Sequence, residues 1–302
     1  MDLKSKIILI FGPTASGKSK FAIKLAKKLN GEIINADSIQ IYKELKILSA
    51  RPLKSDLKII KHHFYGFLSV KKNFSTGDWL KLVNKKIIEL KKKKKTVILV
   101  GGTGLYFKAL TDGLVKIPKI SLKIRNQVRA LHTKLGSKKF FLKLIKIDPL
   151  SKNHINPLDT QRSIRAYEIK LFTKKSMYEW FKSTKSKYEK EDFYKIYIDC
   201  PREQLLERIK IRAYKMIKKG AIKEVKKFLK IGVPKSRSAY KAIGISEFKE
   251  YIDKKIQIEE VIEKISIKTR QYAKRQTTWG RGNMLDWIKI HPNSLNKFLK
   301  KI

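Results

Sequence analysis

The chain has 302 residues, of which 42% are hydrophobic, and its formal net charge is +46. This composition supports a folded core and predicts a polyanionic partner, nucleic acid first, although an AT-rich coding bias toward lysine would also place much of the charge on solvated surface. A single cysteine, Cys200, excludes a disulfide framework and a cysteine-based zinc site. The first predicted strand begins at Ile7, and no apolar run approaches the ~20 residues of a membrane span, so we expect a cytoplasmic protein with no membrane partner.

The most specific motif follows this first predicted strand, Ile7–Phe11, and precedes an amphipathic segment. It has the G-x-x-x-x-G-K-S pattern of a phosphate-binding P-loop and comprises Gly12, Pro13, Thr14, Ala15, Ser16, Gly17, Lys18 and Ser19. The glycines allow backbone N–H groups to surround a polyphosphate, Lys18 adds a positive charge, and the Ser19 hydroxyl can ligate Mg²⁺. The sequence therefore predicts a site for a phosphorylated substrate together with Mg²⁺.

Strand and helix patterns alternate along the first part of the chain and return near its C-terminal third. Further strands are predicted at Glu32–Ala36, Thr96–Val100 and Tyr194–Asp199, and helices at Lys18–Leu29, Trp79–Leu90, Gly104–Leu110 and Pro201–Leu229. This alternation predicts an α/β fold, a P-loop NTPase-like parallel sheet flanked by helices. Residues 121–192 have helical periodicity instead, so we interpret them as a helical insertion domain between two parts of a catalytic core, 1–120 and 193–302.

Two further polar turns follow predicted strands, Asp37–Gln40 and Gly101–Gly104, and should converge with the P-loop at one edge of the sheet. Asp37 is the only acid at these strand ends, which argues against a motor or switch NTPase. It could deprotonate an acceptor group or cap a helix. Thr103 could likewise cap the helix that follows, or lie where its neighbouring glycines let the backbone approach a ligand closely.

Arginines occur at three informative places. Arg208 and Arg212 are four residues apart on a predicted helix, from which they could stabilise charge on a transferring or leaving group. Gln161–Arg165 places two arginines three apart, either on a solvated face or at a binding surface. Arg270–Trp279 interleaves cations with aromatic residues, which suits an RNA backbone with stacked bases but also a packing helix.

Taken in order along the chain, six segments resemble the tRNA dimethylallyltransferase family, also called the tRNA isopentenyltransferase family. They are GPTASGKS (Gly12–Ser19), NADSIQIYK (Asn35–Lys43), HHF (His62–Phe64), GGTGLYFKAL (Gly101–Leu110), DTQRSIRAYEI (Asp159–Ile169) and TRQYAKRQTTW (Thr269–Trp279). The resemblance covers nearly the whole chain. It favours the bacterial type, because the sequence has no Cys–His zinc module like that of some eukaryotic relatives.

The resemblance implies transfer of a dimethylallyl group from dimethylallyl diphosphate to the N6 amine of the adenosine 3′-adjacent to the anticodon, in tRNAs that read codons beginning with U. It implies a P-loop that holds the diphosphate, Mg²⁺ at Ser19, Asp37 as general base, and Thr103 and Arg212 around the diphosphate and reacting centre. It implies that the helical insertion 121–192 binds tRNA, and it places tRNA contacts at Asp37, Ser38, Ile39, Gln40, Thr103, Arg125, Gln161, Arg162, Ser163, Ile164 and Arg165. We expect a monomer.

Two other P-loop enzymes and one non-enzyme are alternatives. An adenylate isopentenyltransferase shares the prenyl donor but acts on free AMP, ADP or ATP, which would not require the insertion at 121–192. A small-molecule kinase would use ATP and an acceptor hydroxyl, and leaves the Gly101–Gly104 and Gln161–Arg165 segments without a role. A nucleic-acid-binding module without activity gives no role to a P-loop beside Asp37.

Overall fold

The structure is a computed structural model that describes residues 3–302. The described chain forms two compact units. One consists of the residues up to Thr111 together with Tyr188–Ile302, and the other is Asp112–Lys187.

A six-stranded parallel sheet is the centre of the first unit. Its strands are β1 (Ile7–Phe11), β2 (Gly31–Asn35), β3 (His62–His63), β4 (Thr96–Gly101), β5 (Phe193–Ile198) and β6 (Ile288–Ile290). Their order is β3-β2-β4-β1-β5-β6, and every pair is parallel. The predicted α/β fold with a parallel sheet is therefore confirmed.

The helices complete the two units. In chain order they are α1 (Lys18–Lys28), α2 (Lys54–Ile59), α3 (Thr76–Lys92), α4 (Gly104–Thr111), α5 (Leu122–Ile147), α6 (Thr160–Thr173), α7 (Met177–Lys182), α8 (Arg202–Lys218), α9 (Ala221–Lys230), α10 (Ile245–Ile252), α11 (Ile258–Asn283) and α12 (Leu295–Lys301). None of the helices within residues 3–302 combines the length and apolar character needed to cross a membrane.

Strand β1 is buried along its whole length because helices cover both faces of the sheet. On one face, Leu9 and Phe11 pack with Trp79 of α3. On the other face, Ile10 packs with Phe21 of α1. The P-loop therefore leaves a rigid central strand and enters a helix that is anchored to the same sheet.

The single helix predicted over Pro201–Leu229 is interrupted in the structure. Helix α8 ends at Lys218 and α9 begins at Ala221, with Gly220 between them at φ +89°. Glycine adopts this left-handed conformation without the Cβ clash that other residues experience, so it allows the chain to turn between the two helices. Strands β3 and β6 were not predicted, because two or three residues are too few for an alternating pattern to be visible.

The second unit, Asp112–Lys187, is helical, and no strand occurs among its residues. Its core contains Phe140, Phe141 and Leu144 of α5 together with Tyr167 of α6. Helix α5 is interrupted at Gly136, which has φ +69°.

Candidate active site

The P-loop lies between β1 and α1 and has the backbone conformation of a phosphate cradle. Gly17 has φ +90° and is followed directly by α1, whose N-terminus has no side-chain cap. The Ser16 amide donates to the Pro13 carbonyl at 3.2 Å, and Ser16 Oγ is buried with no hydrogen-bond partner among residues 3–302. The first turn of α1 therefore offers uncapped N–H groups at the positive end of a helix dipole, where an anion binds favourably.

Lys18 is the cation of this loop. Its Nζ donates to the Pro13 carbonyl at 3.1 Å. Burial lowers the pKa of Lys18 to about 8, the negative charge of Asp37 opposes this shift, and the nearby guanidinium of Arg212 adds to it. A bound diphosphate would add negative charge close to this partly buried ammonium.

Asp37 follows β2 and is held by a buried amide. The side chain of Asn35, which is fully buried, accepts from the Asp37 amide at 2.9 Å and donates to the Asp37 carbonyl at 2.9 Å. Asp37 Oδ1 in turn accepts the amides of Ile39 (2.9 Å) and Gln40 (3.4 Å). The carboxylate thus caps a turn rather than a helix, and no hydrogen bond to its Oδ2 occurs within residues 3–302.

Thr103 lies beside this turn. Its Oγ1 accepts the Ser38 amide at 2.9 Å, and its own amide donates to the Ala36 carbonyl at 3.2 Å. Its hydroxyl therefore fixes the turn on which Asp37 sits, and Thr103 is not among the residues that line the cleft described below.

The glycines around Thr103 differ from the expectation that they admit a ligand. A Cβ on Gly101 would overlap the backbone of Ala36 in the turn after β2. A Cβ on Gly102 would overlap Gln276 Nε2, and one on Gly104 would overlap the ring of Trp279. The small residues are required because other parts of the protein, above all α11, press against this loop.

Two arginines of α8 reach the P-loop. Arg212 donates from Nη1 to Thr14 Oγ1 at 2.8 Å and from Nη2 to the Leu48 carbonyl at 3.1 Å. Arg208 donates to the Ala15 carbonyl at 3.4 Å. Burial lowers the pKa of Arg212 from its ordinary value, and Asp37 opposes this.

The carbonyl that orients Arg212 belongs to a loop held by one acidic side chain. The Glu224 carboxylate of α9 accepts the amides of Lys46 (2.9 Å), Ile47 (2.8 Å) and Leu48 (3.0 Å). Glu224 could not be recognised from the sequence, because an isolated glutamate on an amphipathic helix is indistinguishable from a solvated one.

Tyr272 of α11 is a second residue of the site that the sequence alone does not identify. Burial raises the pKa of Tyr272 above its ordinary value, and the negative charge of Asp37 raises it further, so the phenol stays protonated at neutral pH. Its ring also lies 5.8 Å from the Arg275 guanidinium. The signal was present only as the alternation of aromatic and basic residues in Arg270–Trp279.

These groups meet in one cleft of about 1170 Å³ at the edge where the parallel strands end. The lining includes most of the P-loop, from Thr14 to Ser19, with the Asp37–Gln40 turn, the Lys46–Leu53 loop, Arg212 and Tyr272. Asp56 is the other carboxylate of the lining, and its Oδ2 accepts the Leu53 amide at 2.9 Å. The predicted convergence of the P-loop with the Asp37 turn is therefore present.

The donor set around the P-loop fits a metal ion that is carried by a diphosphate. Within residues 3–302, no group of three His, Cys, Asp or Glu side chains could hold a metal ion. Ser19 is exposed and lines the cleft. Mg²⁺ commonly keeps several waters and binds through one or two protein groups plus substrate phosphate oxygens, which matches this arrangement.

The remaining predicted site residues lie in the second unit. Arg125 and Arg165 both approach Glu168, which is 2% exposed, with an Arg125 Nε to Oε1 distance of 3.7 Å and an Arg165 Nη1 to Oε2 distance of 3.3 Å. Ser163 is buried, and Ile164 packs against the core of the unit. The side chains available at this surface are therefore those of Gln161, Arg162, Arg165 and Arg125.

Comparison with known proteins identifies the relatives of this chain. Residues 40–283 match the model of the family described as IPPT, IPP transferase. A tRNA dimethylallyltransferase of Pelagibacter ubique is 58% identical, over 100% of this chain and 96% of that protein. A protein of the same description from Rickettsia massiliae is 41% identical, over 99% of this chain and 83% of that protein.

Solved structures agree with these sequence matches. A full-length tRNA isopentenylpyrophosphate transferase of Bacillus halodurans is 31% identical with a TM-score of 0.69, over 98% of this chain and 95% of that chain. A eukaryotic dimethylallyltransferase captured acting on tRNA is 27% identical with a TM-score of 0.82, over 95% of this chain and 74% of that chain. The fold expected from the resemblance is confirmed.

Proposed function

The chain belongs to the IPP transferase family, and from that premise we propose that it transfers a dimethylallyl group from dimethylallyl diphosphate to tRNA. The acceptor is the N6 amine of the adenosine 3′-adjacent to the anticodon, in tRNAs that read codons beginning with U. The products are N6-(dimethylallyl)adenosine and pyrophosphate.

One observation carries this proposal: a P-loop with its lysine, the arginine Arg212 and the carboxylate of Asp37, whose Oδ2 accepts no hydrogen bond within residues 3–302, share one cleft. Lys18 and Arg212 are the cations around the position of the diphosphate, and Asp37 acts electrostatically on both. This set stabilises a departing polyphosphate and accepts one proton.

The transfer reaction can be written with Lys18, Arg212 and Asp37 as its main protein groups. The bond between the allylic carbon and the diphosphate oxygen breaks, and the bonding electrons leave with pyrophosphate. A bond forms between that carbon and N6, and the N6 proton passes to the Asp37 carboxylate. The exocyclic amine is a weak nucleophile, so its alignment with the allylic carbon contributes much of the rate.

Mg²⁺ is part of the proposal. Ser19 would hold the ion through its hydroxyl while diphosphate oxygens fill other positions. When bound, the ion neutralises part of the charge that develops on the leaving group. Lys18 and Arg212 donate hydrogen bonds to the same leaving group.

The partner is the anticodon stem-loop of tRNA. The second unit offers exposed Gln161, Arg162 and Arg165 at the start of α6, beside Arg125 of α5. Arginine side chains of this kind bind phosphate oxygens. The target adenosine must leave the stack of the loop to reach a cleft that also holds the diphosphate.

The experiment that tests the proposal offers radiolabelled dimethylallyl diphosphate and Mg²⁺ with unmodified tRNA or with AMP. We expect label in tRNA alone, at the adenosine next to the anticodon. Label in AMP alone would instead identify an adenylate isopentenyltransferase. A parallel reaction with γ-labelled ATP and no prenyl donor tests the kinase alternative, for which label transfer from ATP is the decisive result.

A further inference from the structure

Gln276 of α11 is a buried side chain, 5% exposed, that makes two hydrogen bonds to two different loops. Its Oε1 accepts the Thr14 amide at 2.8 Å. Its Nε2 donates to the Gly102 carbonyl at 2.8 Å. Both distances are at the short end of the range for N–H···O bonds, and the amide has one donor group and one acceptor for the two partners.

The two loops carry different parts of the chemistry. Thr14 belongs to the P-loop, and its hydroxyl receives the Arg212 hydrogen bond. Gly102 is followed by Thr103, which fixes the turn on either side of Asp37 through the Ala36 carbonyl and the Ser38 amide. The P-loop is therefore connected to the turn that carries Asp37 through the Gln276 carboxamide, the Gly102–Thr103 peptide group and the hydrogen bonds of Thr103.

The glycines near Gln276 show that α11 packs closely against the loops that Gln276 contacts. A side chain at Gly102 would occupy the place of the Gln276 amide, and one at Gly104 the place of the Trp279 ring. Gly280, one turn beyond Gln276, likewise admits the ring of Phe11 from the strand that leads into the P-loop. Helix α11 thus lies directly against both loops, and Gln276 makes a hydrogen bond to each of them.

We propose that Gln276 is a positioning residue, whose carboxamide sets the distance and angle between the diphosphate held by the P-loop and the Asp37 carboxylate. It touches neither substrate and acts through the two loops. This inference rests on the proposed function, because the transfer reaction requires the prenyl donor and the Asp37 carboxylate to be correctly placed relative to each other.

A double-mutant cycle tests the role. Gln276→Met keeps the length of the side chain and removes both hydrogen bonds. In the otherwise unchanged protein it should lower the single-turnover rate of dimethylallyl transfer about 10- to 100-fold, because a displacement of about 1 Å between reacting groups has effects of that size. In an Asp37→Asn background the same change should alter the rate by less than about threefold, since there is no longer a base to position.

If Gln276 only stabilised the fold, Gln276→Met would lower the transfer rate by the same factor with Asp37 present and in the Asp37→Asn background. Equal factors, or a rate for Gln276→Met within about threefold of the unchanged protein, would overturn the proposal. Asn283→Asp is the matched control. Asn283 is an exposed amide of α11 that donates to the Trp279 carbonyl at 2.9 Å, and its replacement should leave transfer unchanged.

Hydrogen exchange separates this proposal from the proposed function. In the full chain without substrates, Gln276→Met should speed exchange in peptides that cover Thr14 and in those that cover Thr103, and Asn283→Asp should not. Unchanged exchange at both loops rejects the positioning role even if tRNA is modified. Faster exchange in a protein that modifies no tRNA rejects the proposed function and leaves the coupling between the loops established.

Discussion

Asp37 uses Oδ1 to hold its own turn, so the carboxyl group is fixed by the fold before any substrate is present. The Asn35 amide fixes the backbone of the same residue. A base that is already oriented loses little conformational entropy when the acceptor arrives, which is the usual advantage of a preorganised site.

Asp37→Asn separates the two roles of this side chain. The Asn carbonyl oxygen can still accept the Ile39 amide, so the thermal midpoint should change little, whereas Asp37→Ala should lower stability by about 1 kcal/mol through loss of the cap. Turnover should fall ~10²–10⁴-fold in both variants because the proton acceptor is gone. Equilibrium binding of tRNA should stay within about threefold, and turnover of Asp37→Asn near that of the unchanged protein would remove Asp37 from the chemistry.

Lys18 predicts a pH dependence of donor binding. Burial lowers the pKa of Lys18 to about 8, so the ammonium that binds the diphosphate loses its proton as the pH rises through that value. The affinity for dimethylallyl diphosphate should therefore fall about tenfold between pH 7 and pH 9. Calorimetric titration without tRNA measures this directly.

Lys18→Arg is the control for the charge, because arginine keeps its proton throughout this range. Its donor affinity should be weaker at every pH, since the guanidinium is larger, but should vary by less than about threefold from pH 7 to pH 9. A tenfold decline in the arginine variant as well would assign the pH dependence to another group.

Among the helices of the second unit, α5 and α6 contribute two arginines, Arg125 and Arg165, that both approach the buried Glu168. Glu168 holds the guanidinium groups of Arg125 and Arg165 at the surface of the unit. Paired arginines of fixed orientation suit phosphate oxygens better than freely rotating ones, because less side-chain entropy is lost on binding.

Arg165→Gln should weaken tRNA binding about tenfold at low salt and reduce the slope of log K against log salt concentration by about 1, since one phosphate contact is lost. Arg129→Gln is the matched change on α5, at an exposed arginine with no contact to Glu168, and should leave the slope unchanged. Equal effects of the two variants would mean that the insertion acts through its general charge.

The elements themselves were predictable where a local pattern determined them. The predicted bounds of β1 and α1 agree with the structure to within one residue, because a buried apolar run and a P-loop define both ends of each element. One helix was predicted over Pro201–Leu229 because the residues on both sides of Gly220 fit the same helical period, although the chain turns at Gly220. The role of Gln276 was not predictable, because it depends on packing between residues 262 positions apart.

For the whole molecule, only part of the net charge of +46 serves RNA binding, and part of it has a structural role. Lys27 lies in the last turn of α1 and Lys92 in the last turn of α3, each just before a strand begins. They are therefore at the amino edge of the sheet, opposite the cleft. Cations in the last turn of a helix interact favourably with its dipole, so part of the charge contributes to stability.

The double replacement Lys27→Gln with Lys92→Gln should lower the free energy of unfolding by about 0.5–1.5 kcal/mol in total, measured by urea denaturation. Transfer to tRNA should stay within about twofold, and the salt slope of binding should not change. A flatter salt slope would contradict this prediction and include the amino edge of the sheet in the RNA-binding surface.

Helix α11 supplies the partner of Thr14, although Gln276 follows Thr14 by 262 residues. During synthesis from the N-terminus, β1, the P-loop and the Asp37 turn leave the ribosome long before Gln276 exists. A nascent chain that stops between Arg212 and Gln276 therefore contains the P-loop, Asp37 and Arg212 but still lacks the contact that aligns them. The alignment of these groups is acquired only after residue 276 has been synthesised.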